Sequence, residues 1–363
     1  MRQRFHTLDV LRGGAALVVV LWHWRHFFPV FDPTKHPLYW LLWPFYLHGW
    51  RAVDLFFCIS GFVFYWLYGD RIVRGSAGSE QQGEQGITFR EFAVLRLSRL
   101  YPLHLATLFV VAIAQWSRPE PFVYGNNDLY HFGLQLFFAS SWGLERGHSF
   151  NGPAWSISVE VAMYGLFWAA CWLGLRRWWH LALFAAIGAA LSSRHVVGQA
   201  AMSFFAGGLA FAAYRRIGPA VWPAAATGLL WVAVPLADHL GMRGLRFAYG
   251  LVLFPLTVLG FAAMEPFVAK TAKGLSALGD ISYSSYLLHF PLQMLFASLV
   301  TSGDLFYRPA TLGVFFLVLI SVSLLSFRYF ERPMQRWLRS RLSARLEGSN
   351  TVRLAKPQPH DAS

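Results

Sequence analysis

Ionisable side chains stand inside an apolar stretch near the start of the chain, LDVLRGGAALVVVLWHWRHFF at residues 8–28. Arg12 and His23 are eleven residues apart, so on an α-helix they would lie about 20° from the same face and about 16 Å apart along the axis. An imidazole that titrates near pH ~6.5 can act as a general base at neutral pH. Ionisable groups at such depth usually face a protein interior or a water-filled path. The simpler alternative is that Arg12 reaches the surface and His23 is a satisfied core histidine.

Two carboxylates enter later apolar stretches and could orient such a base. Asp54 lies in RAVDLFFCISGFVF, and Glu160 lies in NGPAWSISVEVAMY, four residues before Tyr164 and therefore on the same helical face. A carboxylate within hydrogen-bond reach of an imidazole could fix its tautomer and stabilise its cation. For Asp54 the alternative is a capping role near a helix start. The predicted catalytic residues are Arg12, His23, Asp54 and Glu160.

An arginine pair in FREFAVLRLSRLYPLHL, Arg96 and Arg99, is spaced to share one helical face, with Tyr101 close behind. Planar guanidinium groups bind phosphate through two parallel hydrogen bonds. We predict that these three residues bind a phosphate-bearing cofactor. The alternative is that the arginines anchor the helix at the inner membrane boundary.

Polar and aromatic side chains in WSISVEVAMY and in LGDISYSSYLLHFPL could contact an acceptor substrate. The predicted substrate-binding residues are Trp155, Ser158, Tyr164, Ser282, Tyr283 and His289. Tryptophans can stack on sugar rings, but they also anchor membrane proteins at the interface. The two cysteines lie inside apolar runs, so no metal site is predicted.

The amino-acid composition indicates whether these groups are positioned in a soluble protein or in a membrane protein. Charged residues are only 13% of the 363 residues, whereas soluble proteins carry about a quarter, and 56% of the chain is hydrophobic. The charges cluster between long apolar runs, as in a polytopic membrane protein. The formal charge of +13 therefore bears on orientation in the bilayer, and no nucleic-acid partner is expected.

Apolar runs suited to crossing a hydrocarbon core of about 30 Å recur along the chain. The sequence predicts an all-α polytopic membrane protein with about ten transmembrane helices. The predicted spans are 11–28, 52–68, 101–117, 155–174, 178–193, 198–214, 219–236, 246–264, 283–301 and 309–327. A shorter apolar piece at 132–142 is expected to lie in the interface. The first span is too long for a signal peptide and lacks a small-x-small cleavage pattern.

Most Lys and Arg residues fall on one side of the membrane if the N-terminus is inside, which predicts that both termini are cytoplasmic. We therefore expect a membrane domain over 1–345, followed by a polar tail at 346–363.

Six short motifs follow one another in a fixed order. They are LDVLRG-AAL with Arg-x10-His, VDLFF-ISGF, RLSRLYPLH, WSISVE-x3-Y, ISYSSYLLHFP and ERP. Together they resemble the membrane acyltransferase-3 family from about residue 8 to residue 335. That family includes O-acetyltransferases of O-antigen, exopolysaccharide, peptidoglycan and nodulation factors, as well as macrolide acyltransferases.

The resemblance implies about ten helices, an acyl-CoA donor on the cytoplasmic side, and acyl transfer to a hydroxyl. It also implies that Arg12 and His23 are the pair on which function depends and that Arg96 and Arg99 are the inner arginine motif. Three positions depart from the common pattern: Ala52 where glycine is usual, Val161 where a second acid is common, and Asp280 where a basic or small residue is frequent.

These lines of reasoning give one hypothesis, an enzyme of the bacterial cytoplasmic (inner) membrane. It would move an acyl group, expected to be acetyl from acetyl-CoA, to a hydroxyl of a glycan, a lipid-linked saccharide or another acceptor. His23 would be the general base, with direct attack favoured over an acyl-histidine intermediate. The alternative is a transporter of a lipid, glycan or acyl group without catalysis, although the chain lacks the internal repeat that many transporters have.

Overall fold

The computed structural model describes residues 4–28, 32–72, 80–81, 84–242, 245–300 and 302–342. Each of the ten predicted segments is mostly helical where the structure describes it, which confirms the all-α class; residue 301, the last of the span 283–301, lies outside the described residues. Besides the helices, the described part contains one two-residue antiparallel pairing, β1 (Glu80–Gln81) with β2 (Glu84–Gln85). The predicted polar tail at 346–363 lies outside the described residues.

The helices run in the following order. They are α1 His6–Trp22, α2 Tyr39–His48, α3 Ala52–Tyr68, α4 Phe89–Trp116, α5 Leu129–Leu136, α6 Trp155–Trp172, α7 Trp178–Leu191, α8 Val196–Ile217, α9 Trp222–His239, α10 Leu245–Ala248, α11 Phe254–Leu275, α12 Ala277–Asp280, α13 Ser282–Leu299 and α14 Pro309–Leu325. A 3₁₀ turn, His23–Phe27, continues α1. The π turn Tyr249–Leu253 joins α10 to α11, and the π turn Ser326–Glu331 extends α14.

Helix starts and ends differ from the predicted spans where local capping decides them. The long α4 begins at Phe89, twelve residues before the predicted span, because Thr88 and Glu91 form a capping box. The Thr88 amide donates to the Glu91 carboxylate at 2.8 Å, and the Glu91 amide donates to the Thr88 hydroxyl at 3.3 Å. The helix α2 is an additional element that the sequence did not predict.

Within the described part of the chain, six helical stretches are long and apolar enough to cross a membrane, judged by length and composition. They are Tyr39–Tyr68, Phe89–Trp116, Gly152–Trp172, Val196–Ile217, Leu245–Leu275 and Pro309–Leu342. The helix α7 is apolar but shorter. The count of ten membrane spans therefore stays a prediction. The cytoplasmic location of both termini also stays a prediction.

Glycine allows α3 and α8 to pack backbone against backbone. A Cβ at Gly61 would overlap the carbonyl oxygen of Phe204, and a Cβ at Gly207 would overlap that of Cys58. Small residues at a crossing are the usual way in which membrane helices approach closely, since dispersion contacts replace the hydrophobic effect there.

The helix α1 contacts α3, α11, α12 and α13. A Cβ at Gly13 would lie 2.6 Å from the backbone of Leu278, so α1 and α12 also touch closely. On its packed side α1 directs Arg12 toward α12 and α13.

Candidate active site

A narrow internal cavity of about 100 Å³, here called the arginine chamber, lies between α1, α3, α4, α6 and α13. It gathers seven of the residues predicted from the sequence, which come from four separate motifs. These residues are Arg12, Arg96, Arg99, Glu160, Tyr164, Ser282 and Tyr283. The remaining lining is mostly apolar, with the hydroxyls of Ser60, Ser156 and Tyr286 added.

Arg12 is held against the start of α13. Its Nε donates to the Ser282 hydroxyl at 3.0 Å, and its Nη2 donates to the Gly279 carbonyl at 2.7 Å. A longer contact of 3.3 Å joins Nη2 to the carboxylate of Asp9. These hydrogen bonds fix the Arg12 guanidinium against α12 and α13, where it lines the chamber. The simpler alternative, in which Arg12 reaches freely to the surface, does not describe this arrangement.

The two arginines of α4 bring positive charge to the same cavity. Arg96 is 9% exposed, donates from Nη2 to the Tyr68 hydroxyl at 3.1 Å, and lies 5.0 Å from the ring centre of Phe64. Its buried Nε has no hydrogen-bond partner among the described residues. Arg99 also lines the cavity, and no described residue forms a hydrogen bond or an ion pair with it. Guanidinium groups with open donors in a cavity suit an anion such as phosphate.

Tyr101 does not join this chamber. Its ring packs edge-on against Phe138, with ring centres 5.5 Å apart. The preceding residue, Leu100, lines the chamber, and its carbonyl accepts a hydrogen bond from Tyr283. Tyr101 therefore lies away from the predicted phosphate-binding residues.

The two predicted carboxylates have partners other than His23. The Tyr164 hydroxyl donates to Glu160 at 2.7 Å, which confirms that these residues share a face, and both lie in the arginine chamber. Asp54 is 5% exposed and accepts from the Gln199 amide at 2.9 and 3.0 Å, which ties α3 to α8. The prediction that a carboxylate orients His23 is therefore wrong, because a backbone carbonyl, that of Val19, contacts the His23 ring instead.

His23 lies at the end of α1, where the chain enters the 3₁₀ turn. Its Nδ1 is 2.8 Å from the Val19 carbonyl oxygen, and the side chain is 5% exposed. A carbonyl oxygen can only accept, so Nδ1 carries the proton and Nε2 of the neutral ring carries the lone pair. The helix itself therefore sets the tautomer that a general base needs.

A second cavity of about 660 Å³, the histidine chamber, contains His23 and the predicted Trp155. Its other polar walls come from residues that the sequence reasoning missed: Arg25, His26, Tyr124 and His148. His26 follows His23 by one helical turn, and this spacing could have indicated that the two rings lie on one face. Tyr124 and His148 lie in loops, which carry no periodic pattern.

Hydrogen bonds in this chamber connect α13 to the end of α1. Gln293 donates from Nε2 to the His23 carbonyl at 2.9 Å and accepts at Oε1 from His26 Nδ1 at 3.1 Å. The Tyr124 hydroxyl is 3.4 Å from His26 Nε2. Burial raises the pKa of Tyr124 to about 12, so this hydroxyl is a donor at neutral pH. Burial lowers the pKa of His148, which keeps that ring neutral there.

His289 lies beside His23, with ring centres 4.8 Å apart, and is fully buried. Its Nδ1 donates to the Tyr286 carbonyl at 2.6 Å, and its Nε2 has no partner among the described residues. This residue was predicted to contact substrate, and the structure places its ring against that of His23.

The two chambers adjoin through a thin partition. Consecutive residues line opposite sides, since Trp155 faces the histidine chamber and Ser156 faces the arginine chamber. The Ser156 and Tyr286 hydroxyls are 2.8 Å apart, and Tyr286 donates to the Pro153 carbonyl at 2.9 Å. Ser158, in contrast, accepts from the Ser141 amide at 3.1 Å and lines neither chamber.

Comparison with known proteins agrees with the motifs. Residues 5–327 match the model of the acyltransferase-3 family, described as an acyltransferase domain. The chain is 31% identical over 144 residues to acyltransferase MdmB of Streptomyces mycarofaciens, covering 37% of this chain and 33% of that protein. It is 36% identical over 110 residues to protein 2 in the picA locus of Rhizobium radiobacter, covering 30% and 45%.

Each of these alignments thus spans less than half of the relative's length. No solved structure matches the chain. The family match over most of the chain supports acyl transfer and disfavours the alternative of a transporter without catalysis.

Proposed function

The chain belongs to the acyltransferase-3 family of membrane acyltransferases, and we propose that it transfers an acyl group from acyl-CoA to a hydroxyl of a glycan or lipid-linked saccharide. Acetyl-CoA is the proposed donor. His23 is the proposed general base, and Arg96 and Arg99 are the proposed phosphate ligands. The proposed setting is the bacterial inner membrane, with the arginine chamber toward the cytoplasm.

The observation that carries this proposal is the adjacency of the two chambers. One contains guanidinium groups with open donors, and the other contains an imidazole whose lone pair is fixed at Nε2. Arg12 and His23 on α1 are about 16 Å apart along the helix axis. An extended pantetheine arm could cover that distance and bring a thioester to the partition from the arginine side.

The reaction would proceed by proton transfer to His23. Its Nε2 takes the proton of the acceptor hydroxyl while the oxygen attacks the thioester carbonyl carbon. The carbon–sulfur bond then breaks, the electron pair leaves on sulfur, and the proton passes from His23 to the thiolate. We favour this direct route over an acyl-histidine intermediate, since holding both substrates at one partition removes the need for a covalent carrier.

The acceptor would enter the histidine chamber. Trp155 and Tyr124 give that chamber aromatic walls, which suit stacking against the apolar face of a sugar ring. His148 adds a neutral imidazole whose ring nitrogens can bond sugar hydroxyls.

A kinetic comparison of two histidine variants tests the proposal. His23→Ala should reduce transfer from labelled acetyl-CoA by about 10²–10⁴-fold, the usual contribution of a general base. His131→Gln is the control, because His131 is also buried but contacts Asp128, away from both chambers. Transfer by the His23 variant above about a tenth of wild type would be incompatible with a base that contributes this much.

A further inference from the structure

A cleft separate from both chambers lies between α3, α7 and α8 and the segment that precedes α7. It has a volume of about 580 Å³, and four arginines line it against a single carboxylate, that of Asp70. The arginines are Arg176, Arg177, Arg215 and Arg216. We call it the α7 cleft, since Trp178 and Trp179 at the start of α7 form one wall.

The positive charge in the α7 cleft is only partly neutralised. Arg215 is 3.6 Å from Asp70, and Arg176 donates to the Gly69 carbonyl at 2.8 Å. Arg177 and Arg216 form no ion pair with any described carboxylate, and both are exposed. Guanidinium groups gathered in this way repel one another until an anion joins them, and phosphate is the anion whose geometry they match.

A buried hydroxyl provides a second, independent indication of a ligand. Tyr65 lines the α7 cleft, is 5% exposed, and its hydroxyl has no hydrogen-bond partner among the described residues. Its ring is held edge-on against Phe167 at 5.0 Å and against Gly208, where a Cβ would lie 2.7 Å from the ring. A fixed, unpaired hydroxyl is costly unless something bonds to it.

The surface next to the cleft is apolar. Trp179, Leu183, Ile187 and Leu191 are spaced four residues apart along α7 and are each about half exposed. Residues four apart lie on neighbouring parts of one helix face. The stripe is about 18 Å long, slightly more than half of a 30 Å hydrocarbon core.

We propose that the α7 cleft binds the phosphate of an anionic phospholipid, whose acyl chain lies along this stripe. Basic recesses between membrane helices are suited to anionic head groups, and tryptophans prefer the level of those head groups. Arginines that only anchor the helix ends would need neither the recess nor the unpaired hydroxyl. A soluble phosphate would explain the arginines but would make no contact with the apolar stripe that adjoins them.

Native mass spectrometry of the full chain in detergent tests this site. The protein should retain phosphatidylglycerol in preference to phosphatidylethanolamine. Arg177→Gln combined with Arg216→Gln should weaken phosphatidylglycerol binding about thirty-fold, or about five-fold for each cation. Arg194→Gln is the control for each single replacement, because it removes one positive charge from the exposed far end of the α7–α8 pair. It should leave phosphatidylglycerol binding unchanged, whereas Arg177→Gln alone and Arg216→Gln alone should each weaken it about five-fold.

Tyr65→Phe separates a ligand contact from a structural role. The variant should bind phosphatidylglycerol more weakly, while the melting temperature of the delipidated protein stays unchanged or rises, because an unpaired buried hydroxyl has been removed.

Four results would overturn the proposal. They are equal retention of the two lipids, an equal loss with Arg194→Gln, displacement of the lipid by inorganic phosphate alone, and a lipid-independent dimer that covers α7.

Discussion

Replacing Arg96 or Arg99 by lysine keeps a positive charge in the arginine chamber but removes the planar fork of the guanidinium. Arg96 has a buried Nε without a partner and uses Nη2 for Tyr68, so it retains donors for an anion. Arg99 has no hydrogen-bonding or ion-pairing partner among the described residues and lines the same cavity. Each variant should therefore lose a hydrogen bond to a phosphate of acyl-CoA, while the net charge of the chamber stays constant.

The magnitude follows from the type of bond that is lost. A hydrogen bond between charged partners contributes about 1.5–3 kcal/mol, which corresponds to an increase in KM for acyl-CoA of about 10- to 150-fold. The reacting carbonyl would lie near His23, about 16 Å along the helix axis from the level of Arg12. The value of kcat should consequently change much less than KM, which is the pattern of lost uniform binding.

Initial rates over a range of acyl-CoA concentrations measure this effect, with Arg339→Lys as the control. Arg339 belongs to the same basic region, but it donates to Ser98 and to the Leu95 carbonyl at 3.4 Å and does not line the chamber. Its variant should keep the wild-type KM. An unchanged KM in both chamber variants, or an equal rise in the control, would refute phosphate binding by Arg96 and Arg99.

Two further predictions concern packing and orientation. Gly61→Ala should lower the free energy of unfolding by about 1–3 kcal/mol, because the new methyl group overpacks α3 against α8. Gly14→Ala, where nothing lies within 4 Å of the new Cβ, should raise the free energy of unfolding by about 0.5–1 kcal/mol. Thermal unfolding in detergent compares the two variants, and equal melting temperatures would contradict the close crossing of α3 and α8. A cytoplasmic reporter fused after Ser363 should be active and a cysteine at Gly83 should resist external labelling. A periplasm-dependent reporter that becomes active at the same terminus would contradict the predicted topology.

Helix content and the grouping of Arg12 with Arg96 and Arg99 could be predicted from sequence because each depends on a local pattern. Apolar runs specify helices in a bilayer, where every backbone polar group must be satisfied internally. Ionisable residues within such runs are costly, so they indicate where helices face one another. Arg12, Arg96, Arg99 and Glu160 belong to three motifs on three helices, and all line one cavity, although Glu160 was predicted to lie beside His23.

The partners of these groups could not be predicted in the same way, since they depend on how the helices pack. Asp54 and Gln199 are 145 residues apart, and only the contact of α3 with α8 brings them together. The orientation of His23 by Val19 depends on a backbone carbonyl at the end of α1, which no residue type signals. Tyr124 reaches His26 from a loop, where sequence periodicity gives no information.

The geometry of α1 explains why one helix can serve both chambers. Three turns of an α-helix contain about 10.8 residues, so a spacing of eleven returns to nearly the same face. Arg12 therefore lines the arginine chamber and His23 the histidine chamber, on one side of α1. A spacing shorter by a single residue would turn one of them by about 100°, away from α13, where Ser282 and His289 contact them. The separation of the proposed phosphate site from the proposed base is then a property of one rigid helix, whereas a mobile loop could not hold the two at a fixed distance.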